Sequence, residues 1–155
     1  PNVGKSTFIN SLVGKPIAKV GNKPGVTTGK QWIRLNKDLD LLDTPGILWP
    51  KFEDQKIGKR IAMIGSINQD LLDNNELSTG ILEFLKEFYP GNIKDRYGLE
   101  ETGDGHELLT AIATKRACMK KGGELDLEKM ASMIVDDFRG GRLGRVTLER
   151  PEEFF

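Results

Sequence analysis

The residues best placed to do chemistry open the chain: Pro1-Asn2-Val3-Gly4-Lys5-Ser6-Thr7. They match the latter part of a phosphate loop, GxxxxGK[ST], in which backbone N–H groups surround an anion at the start of a helix. Gly4 would let the chain pass close to a phosphate, and the N–H groups from Asn2 to Ser6 would point inward. Lys5 would reach the β- and γ-phosphates, and the Ser6 hydroxyl would ligate Mg²⁺, a cation that prefers oxygen ligands. The expected nucleotide-binding set is therefore Asn2, Val3, Gly4, Lys5, Ser6 and Thr7. Taken alone, Gly-Lys-Ser-Thr is a weak signal and reads more readily as a helix start with no ligand.

A second motif supports the first. Asp43-Thr44-Pro45-Gly46 lies 36 residues beyond Thr7 and follows the apolar residues Leu39, Leu41 and Leu42. A buried strand ending in Asp is where phosphate-loop enzymes place the carboxylate that holds Mg²⁺ through water, and Gly46 would offer its N–H to the γ-phosphate. Between the two motifs, Pro24-Gly25-Val26-Thr27 carries a threonine able to order a loop by touching the metal. The expected metal ligands are Ser6, Thr27 and Asp43, and the expected catalytic groups are Lys5, Thr27 and Gly46. The spacing points to a nucleoside triphosphate site.

Positioning these groups requires a loop running into a helix within residues 1–14, with Phe8, Ile9 and Leu12 on one face and Gly14 as its stop. Residues 15–29, with Gly21, Pro24, Gly25 and Gly29, read as irregular. Two short strands within residues 30–44 are expected to pair as a hairpin around Asn36-Lys37-Asp38. Pro45, Gly46 and Pro50 then break the chain. A helix is expected at about 54–66 with Ile57, Ile61 and Ile64 on one side. From about residue 73 the pattern becomes helical. Apolar stripes predict helices over 77–89, ended by Pro90-Gly91, over 105–119, capped by Asp104 with Gly122-Gly123 beyond, and over 127–139, capped by Asp126 and ended by Gly140-Gly141.

Composition narrows the class. The 155 residues hold 23 Lys and Arg against 23 Asp and Glu, so bulk charge does not suit a protein that coats nucleic acid. Charge divides by region: residues 1–75 carry 11 cations and 7 anions, residues 76–155 carry 12 and 16. The single cysteine, Cys118, cannot form an internal disulfide and reads as a small buried or half-buried hydrophobe. The single histidine, His106, reads as a surface or capping residue. No apolar run reaches the ~18 residues of a membrane span, so a cytoplasmic protein without membrane contact, working as a monomer, is expected. Glycine makes up 18 of the 155 residues.

The combination PNVGKS, PGVT and DTPG resembles the translation-factor-like GTPases, and among them their bacterial assembly-factor branches. Guanine selection in such proteins uses an NKxD motif downstream of DTPG, and here none follows: Asn92-Ile93-Lys94-Asp95 has the letters in another order, and Asn36-Lys37-Asp38-Leu39 lies upstream of DTPG. An order with the guanine motif before the phosphate loop is that of circularly permuted GTPases. The closest resemblance is to the ribosome biogenesis GTPase A family, carried by Asp43 to Asp54 (DTPGILWPKFED), Pro24 to Thr27 and Phe138 to Glu149 (FRGGRLGRVTLE). It implies an incomplete, circularly permuted α/β P-loop GTPase domain over 1–72, followed by a small all-α domain over 73–155 that contacts RNA. It also implies an upstream half bearing the guanine motif. Without that half, residues 1–155 are expected to be poorly stable and to bind nucleotide weakly.

The resemblance implies GTP hydrolysis in the assembly of the large ribosomal subunit, with GTP or GDP, Mg²⁺ and ribosomal RNA as ligands and partners. Better-known relatives orient the attacking water with a Gln immediately after DxxG; Ile47 stands there and cannot, so hydrolysis is expected to be slow until a partner completes the site. For Asn2 two readings stand: a K⁺ ligand, as in potassium-stimulated relatives, or a loop residue bonding local backbone. The grouped cations Lys115, Arg116, Lys120, Lys121, Arg139, Arg142 and Arg145 read either as RNA phosphate contacts or as charges that suit helix C-termini. The rival functions are a nucleotide-dependent binding module that does not hydrolyse, and a nucleotide switch unrelated to ribosomes.

Overall fold

The computed structural model describes residues 2–21, 27–48, 54–67 and 72–153. The chain divides into two compact units, residues 1–71 and 72–155. Pro24, Gly25 and Val26 of the threonine loop, Pro50, and the Trp49–Glu53 part of the family-like stretch lie outside the described residues.

The first unit begins with helix α1, Lys5–Val13, flanked by Gly4 and Gly14, both in the left-handed region at φ +83° and +70°. Left-handed glycine at the C-terminal cap costs no side-chain strain, which is why the helix stops where expected. The Asn10 side chain ties the next segment back to the helix: its Oδ1 accepts from the N–H of Ala18 at 2.8 Å, and its Nδ2 donates to the Ala18 carbonyl at 2.8 Å. Strands β1, Gln31–Arg34, and β2, Asp40–Asp43, form the expected antiparallel hairpin, with Gln31 opposite Asp43 and Ile33 opposite Leu41. Asn36 Oδ1 accepts from the N–H of Asp38 within the turn, a local bond that Asn supplies readily. Helix α2, Gln55–Met63, starts at Asp54, whose carboxylate accepts from the N–H of Lys56.

A small core of Ile9, Ala18 and Ile33, with Val13, Leu35 and Leu41 against it, holds this unit. Burial is uneven along these elements, and one expectation, that of a buried second strand, changes. Phe8 and Leu12 are exposed, so only Ile9 of the α1 stripe is buried. β2 is not a buried strand: Leu42 is exposed and Leu41 half-buried, because one face of the hairpin covers the core and the other does not. In α2, Ile57 and Ile64 are exposed and Ala62 and Met63 are buried.

The second unit is built from α3 (Asn74–Phe88), α4 (Asn92–Tyr97), α5 (Gly105–Lys115) and α6 (Leu127–Arg139), with a single 3-10 turn at Pro151–Glu153. α3 packs on both α5 and α6. Ile81, Leu82, Leu85, Leu109, Ile112, Met130 and Ile134 are fully buried between them, which is what stripes of 3.6-residue period must do in a three-helix core. Caps set the starts: Asp73 on α3, Asp126 on α6, and at α5 a reciprocal pair in which Asp104 accepts from the N–H of Glu107 while the Glu107 carboxylate accepts from the N–H of Asp104. Cys118 is buried, and His106 is an exposed residue of the first turn of α5.

α3 starts three residues earlier than the apolar stripe implies, because Asp73 caps it. α5 ends at Lys115 rather than near 119: Ala117 turns to φ +48°, and Met119 then pairs with Leu125 in an isolated antiparallel bridge, placing Gly122 and Gly123 in a loop. α4 is absent from the sequence reading. It is held by Glu101, whose carboxylate accepts from the N–H groups of Gly91, Ile93 and Lys94.

Gly144 lies at φ +91°, and a Cβ there would meet Asn92 Nδ2 at 2.6 Å, the same amide that donates to the Leu143 carbonyl. Gly144→Ala is expected to cost at least about 1–2 kcal/mol from backbone strain alone, with a further loss from displacing Asn92. Chemical denaturation of the full-length protein checks this, and an unchanged midpoint would show that the loop relaxes without cost.

Candidate functional site

The first unit carries a cavity of about 320 Å³ whose wall combines the phosphate loop, Thr27 and the Thr44-Pro45-Gly46 turn. Every residue of the expected nucleotide-binding set lines it. α1 has no side-chain N-cap and no acidic residue in its first turn. The N–H groups of Lys5, Ser6 and Thr7, which lack intrahelical acceptors by position, are therefore left for an anion, and the helix dipole favours one. A Cβ at Gly4 would meet nothing within 4 Å, so the loop faces open space at this point.

Opposite the loop, Asp43 ends β2 and is fully buried. Lys5 Nζ forms an ion pair with its Oδ1, and Gln31 Nε2 donates to its Oδ2 at 3.5 Å. In this structure Lys5 thus rests on the strand-end carboxylate, whereas the motif expects it to reach the β- and γ-phosphates. Ser6 Oγ and Thr27 Oγ1 lie 3.4 Å apart. Two hydroxyls that close, with a buried carboxylate from the neighbouring strand, suit a hard cation carried on a phosphate chain. Among the described residues no three His, Cys, Asp or Glu side chains cluster as a metal centre, so the other ligands of such a cation would be substrate oxygens and water. Asn2 sits at φ +56°, and its side chain donates to the carbonyl of Gly65 at 3.1 Å, 63 residues along the chain.

Sequence reasoning missed Lys19, Val20 and Gly21, which also line the cavity. They belong to an irregular stretch with no pattern to read. Thr44 and Pro45, to which the DTPG motif assigns no role, are part of the wall.

The cations of the second unit divide. Lys120 and Lys121 in the loop, and Arg145, are exposed. Lys115 Nζ bonds the Gly98 carbonyl, and Arg116 donates to the Arg96 carbonyl at 3.3 Å and lies over the Tyr97 ring at 5.4 Å. Arg139 is half-buried, and desolvation lowers its pKa. Arg142 Nε pairs with Asp137 Oδ1, while Arg96 Nε and the Tyr97 hydroxyl donate to Oδ2 at 2.8 and 2.9 Å. Asp137 is buried. Burial pushes its carboxyl upward, but hydrogen bonds from Arg96, Arg142 and Tyr97 outweigh that and hold it below the ordinary carboxylate value. Burial, and then the bond to Asp137, push the Tyr97 phenol upward, so it remains a donor. The signal for Asp137 was an acidic residue in register with Met130 and Ile134 on the core face of α6.

An uncapped, glycine-flanked helix start facing a buried strand-end aspartate defines a P-loop nucleotide-binding protein, and comparison with known proteins narrows the class. The profile of the 50S ribosome-binding GTPase family matches residues 1–92, and the chain belongs to that family. It is 49% identical over 155 residues to a Bacillus cereus ribosome biogenesis GTPase A, covering 99% of this chain and 52% of the relative. It is 35% identical to the Thermotoga maritima ribosome biogenesis GTPase A, covering 99% and 55%. The chain thus spans about half the length of these curated relatives. A GDP-bound YlqF structure superposes with TM-score 0.63 at 30% identity over 98% of this chain and 58% of that one. A GNP-bound YlqF from T. maritima gives 0.62 at 30% identity over 98% and 57%. The fold is that of a YlqF-like P-loop GTPase. Among the described residues no helix is long and apolar enough to cross a membrane.

Two outcomes follow. Lys5→Met removes the cationic partner of a fully buried carboxylate and is expected to destabilise the first unit by about 1–3 kcal/mol. Adding Asp43→Leu should recover part of that loss, and a double-mutant denaturation cycle measures the coupling. In the second unit the folded pKa of Asp137 is depressed, so its contribution is fully present above the ordinary carboxylate value of about 4. It is lost as pH falls from there through the folded value. Asp137→Asn should flatten this acid limb in melts recorded across pH.

Proposed function

We propose that residues 1–72 form part of a circularly permuted GTPase domain and that residues 73–155 form a helical domain contacting ribosomal RNA. Together they would serve assembly of the large ribosomal subunit in the cytoplasm, acting as a monomer. The observation that carries the nucleotide reading is the meeting of an uncapped helix start with the Lys5–Asp43 pair and the Ser6–Thr27 hydroxyls around one cavity. The biological setting is supported by the names of relatives, ribosome biogenesis GTPase A, and by the family description.

In this reading the N–H groups of Lys5, Ser6 and Thr7 bind phosphate oxygens, and Lys5 leaves Asp43 for the β- and γ-phosphates. Ser6 and Thr27 would hold Mg²⁺ directly and Asp43 would hold it through water. Mg²⁺ supplies neutralisation of charge on the transferring phosphoryl group. Gly46 offers its N–H to the γ-phosphate. Asn2 is a K⁺ ligand in the potassium-dependent version of this scheme, and its bond to Gly65 would then fix the loop that presents it. Ile47 is 87% exposed and offers nothing to orient water, so a partner completes the site and couples hydrolysis to release. That same residue favours a second reading, a nucleotide-dependent binding module that does not hydrolyse.

Single-turnover hydrolysis of GTP by the full-length protein, with and without large ribosomal subunits, separates these. Slow turnover accelerated by subunits is expected; equal rates would sink the coupling, and no turnover in either case would favour the second reading. Ser6→Ala is expected to weaken Mg²⁺-dependent GTP binding roughly tenfold or more, since a cation-linked oxygen contact is lost.

A further inference from the structure

The second unit has a cavity of about 240 Å³ lined by Asn92, Asp95, Arg96, Arg142, Leu143 and Gly144. Its two guanidinium groups are oriented from behind by one buried carboxylate, with Arg96 Nε on Asp137 Oδ2 and Arg142 Nε on Oδ1. Each arginine spends only its Nε–H on Asp137, and among the described residues their Nη groups make no hydrogen bond. Both side chains are partly exposed, at 34% and 50%. Tyr97 packs at 5.8 Å under Arg96 and restricts that side chain further. Two forks held in place with their outer donors free form a preorganised receptor for a planar or tetrahedral oxyanion.

The pocket also contains an acceptor. Asp95 is exposed, and among the described residues its carboxylate makes no hydrogen bond or salt bridge. A simple anion would be repelled by it. A group that joins an oxyanion to a neighbouring hydroxyl donor satisfies both sides, and the ribose phosphate of RNA does this through its 2′-hydroxyl, which DNA lacks.

We propose that this pocket is a ribonucleotide subsite, with a backbone phosphodiester on the Nη groups of Arg96 and Arg142 and the adjacent 2′-hydroxyl donating to Asp95. The proposal rests on the reading that the helical unit contacts RNA, and it adds Arg96 and Asp95 as contacts and Asp137 as a positioning residue. It also makes the unit selective for RNA over DNA, which phosphate contacts from the exposed lysines cannot achieve.

The test uses the full-length protein, a short single-stranded RNA and the DNA of the same sequence, with affinities measured over a salt series. Wild type is expected to prefer RNA. Arg96→Lys with Arg142→Lys keeps the charges and loses the forks; it should weaken RNA binding roughly tenfold while leaving the salt slope, which follows charge, close to that of wild type. Asp95→Ala, an exposed change at a carboxylate that makes no bond to Asp137, should bring RNA affinity down to that for DNA while leaving DNA affinity unchanged or higher. Thermal unfolding shows whether the double variant folds; if it does not, Asp95→Ala decides alone. Wild-type RNA preference in Asp95→Ala overturns the subsite. If Lys120→Ala with Lys121→Ala weakens binding at the same time, the broader RNA reading survives that result. Absence of RNA binding by wild type overturns both.

Discussion

Asp43 is a fully buried carboxylate in a unit whose core is only a handful of apolar side chains, and such a group is tolerated only where charge and hydrogen bonds meet it. Its partners are Lys5 at the start of α1 and Gln31 at the start of β1. One side chain therefore joins three elements: the first turn of α1, the strand leading out of the threonine segment, and the strand leading into Thr44-Pro45-Gly46. The cavity shares Lys5 with this tie and is otherwise lined by the phosphate loop, Lys19–Gly21, Thr27 and Thr44-Pro45-Gly46. Were the carboxylate to lose Lys5 with no replacement cation, the structure would hold an uncompensated charge, so whatever draws Lys5 away must bring positive charge of its own.

The second unit places its buried carboxylate differently. Its core of Ile81, Leu82, Leu109, Ile112, Met130 and Ile134 needs no ion pair to close. Asp137 instead stands at the edge of that core and organises side chains that reach outward. The same chemistry, a carboxylate under cations, closes one unit inward and arms the other outward. Tyr89 adds a different kind of fastening: its hydroxyl bonds both the N–H and the carbonyl of Thr147, while Arg150 lies over Phe88 and Tyr89. Thr147 and Arg150, which follow α6 and precede the 3-10 turn, are thereby held without belonging to a regular element.

Much of this was legible from residue types. Gly4 and Gly14 mark the ends of α1, Asp104 and Asp126 cap the helices they were expected to cap, and the hairpin turns where Asn36 supplies its local bond. What stayed hidden depended on contacts distant in sequence. Glu101 holds α4 through three N–H groups, but nothing in a six-residue stretch announces a helix whose cap lies after it. Ala117 leaves the right-handed region against its own preference as α5 closes, with its N–H donating to the Thr114 carbonyl and that of Cys118 to the Ala113 carbonyl. In α1 and α2 the apolar spacing identifies a helix but not which of its residues are buried, since periodicity identifies a face and not what covers it. For the site, the motif residues line one cavity as their letters suggested, whereas Lys19 and Arg96 carry no local mark of their positions.

The pairing of Gln31 with Asp43 has a mechanical consequence. Thr27 lies four residues before Gln31, the first paired residue of β1. Strand pairing admits only whole-residue steps, and a single step would turn Ile33 out of the core and Trp32 into it. The hairpin thus behaves as a clamp on a cable: Thr27 cannot draw extra length of chain through it. Any rearrangement that brings Thr27 to or from Ser6 must be accommodated within the few residues between Thr27 and Gln31.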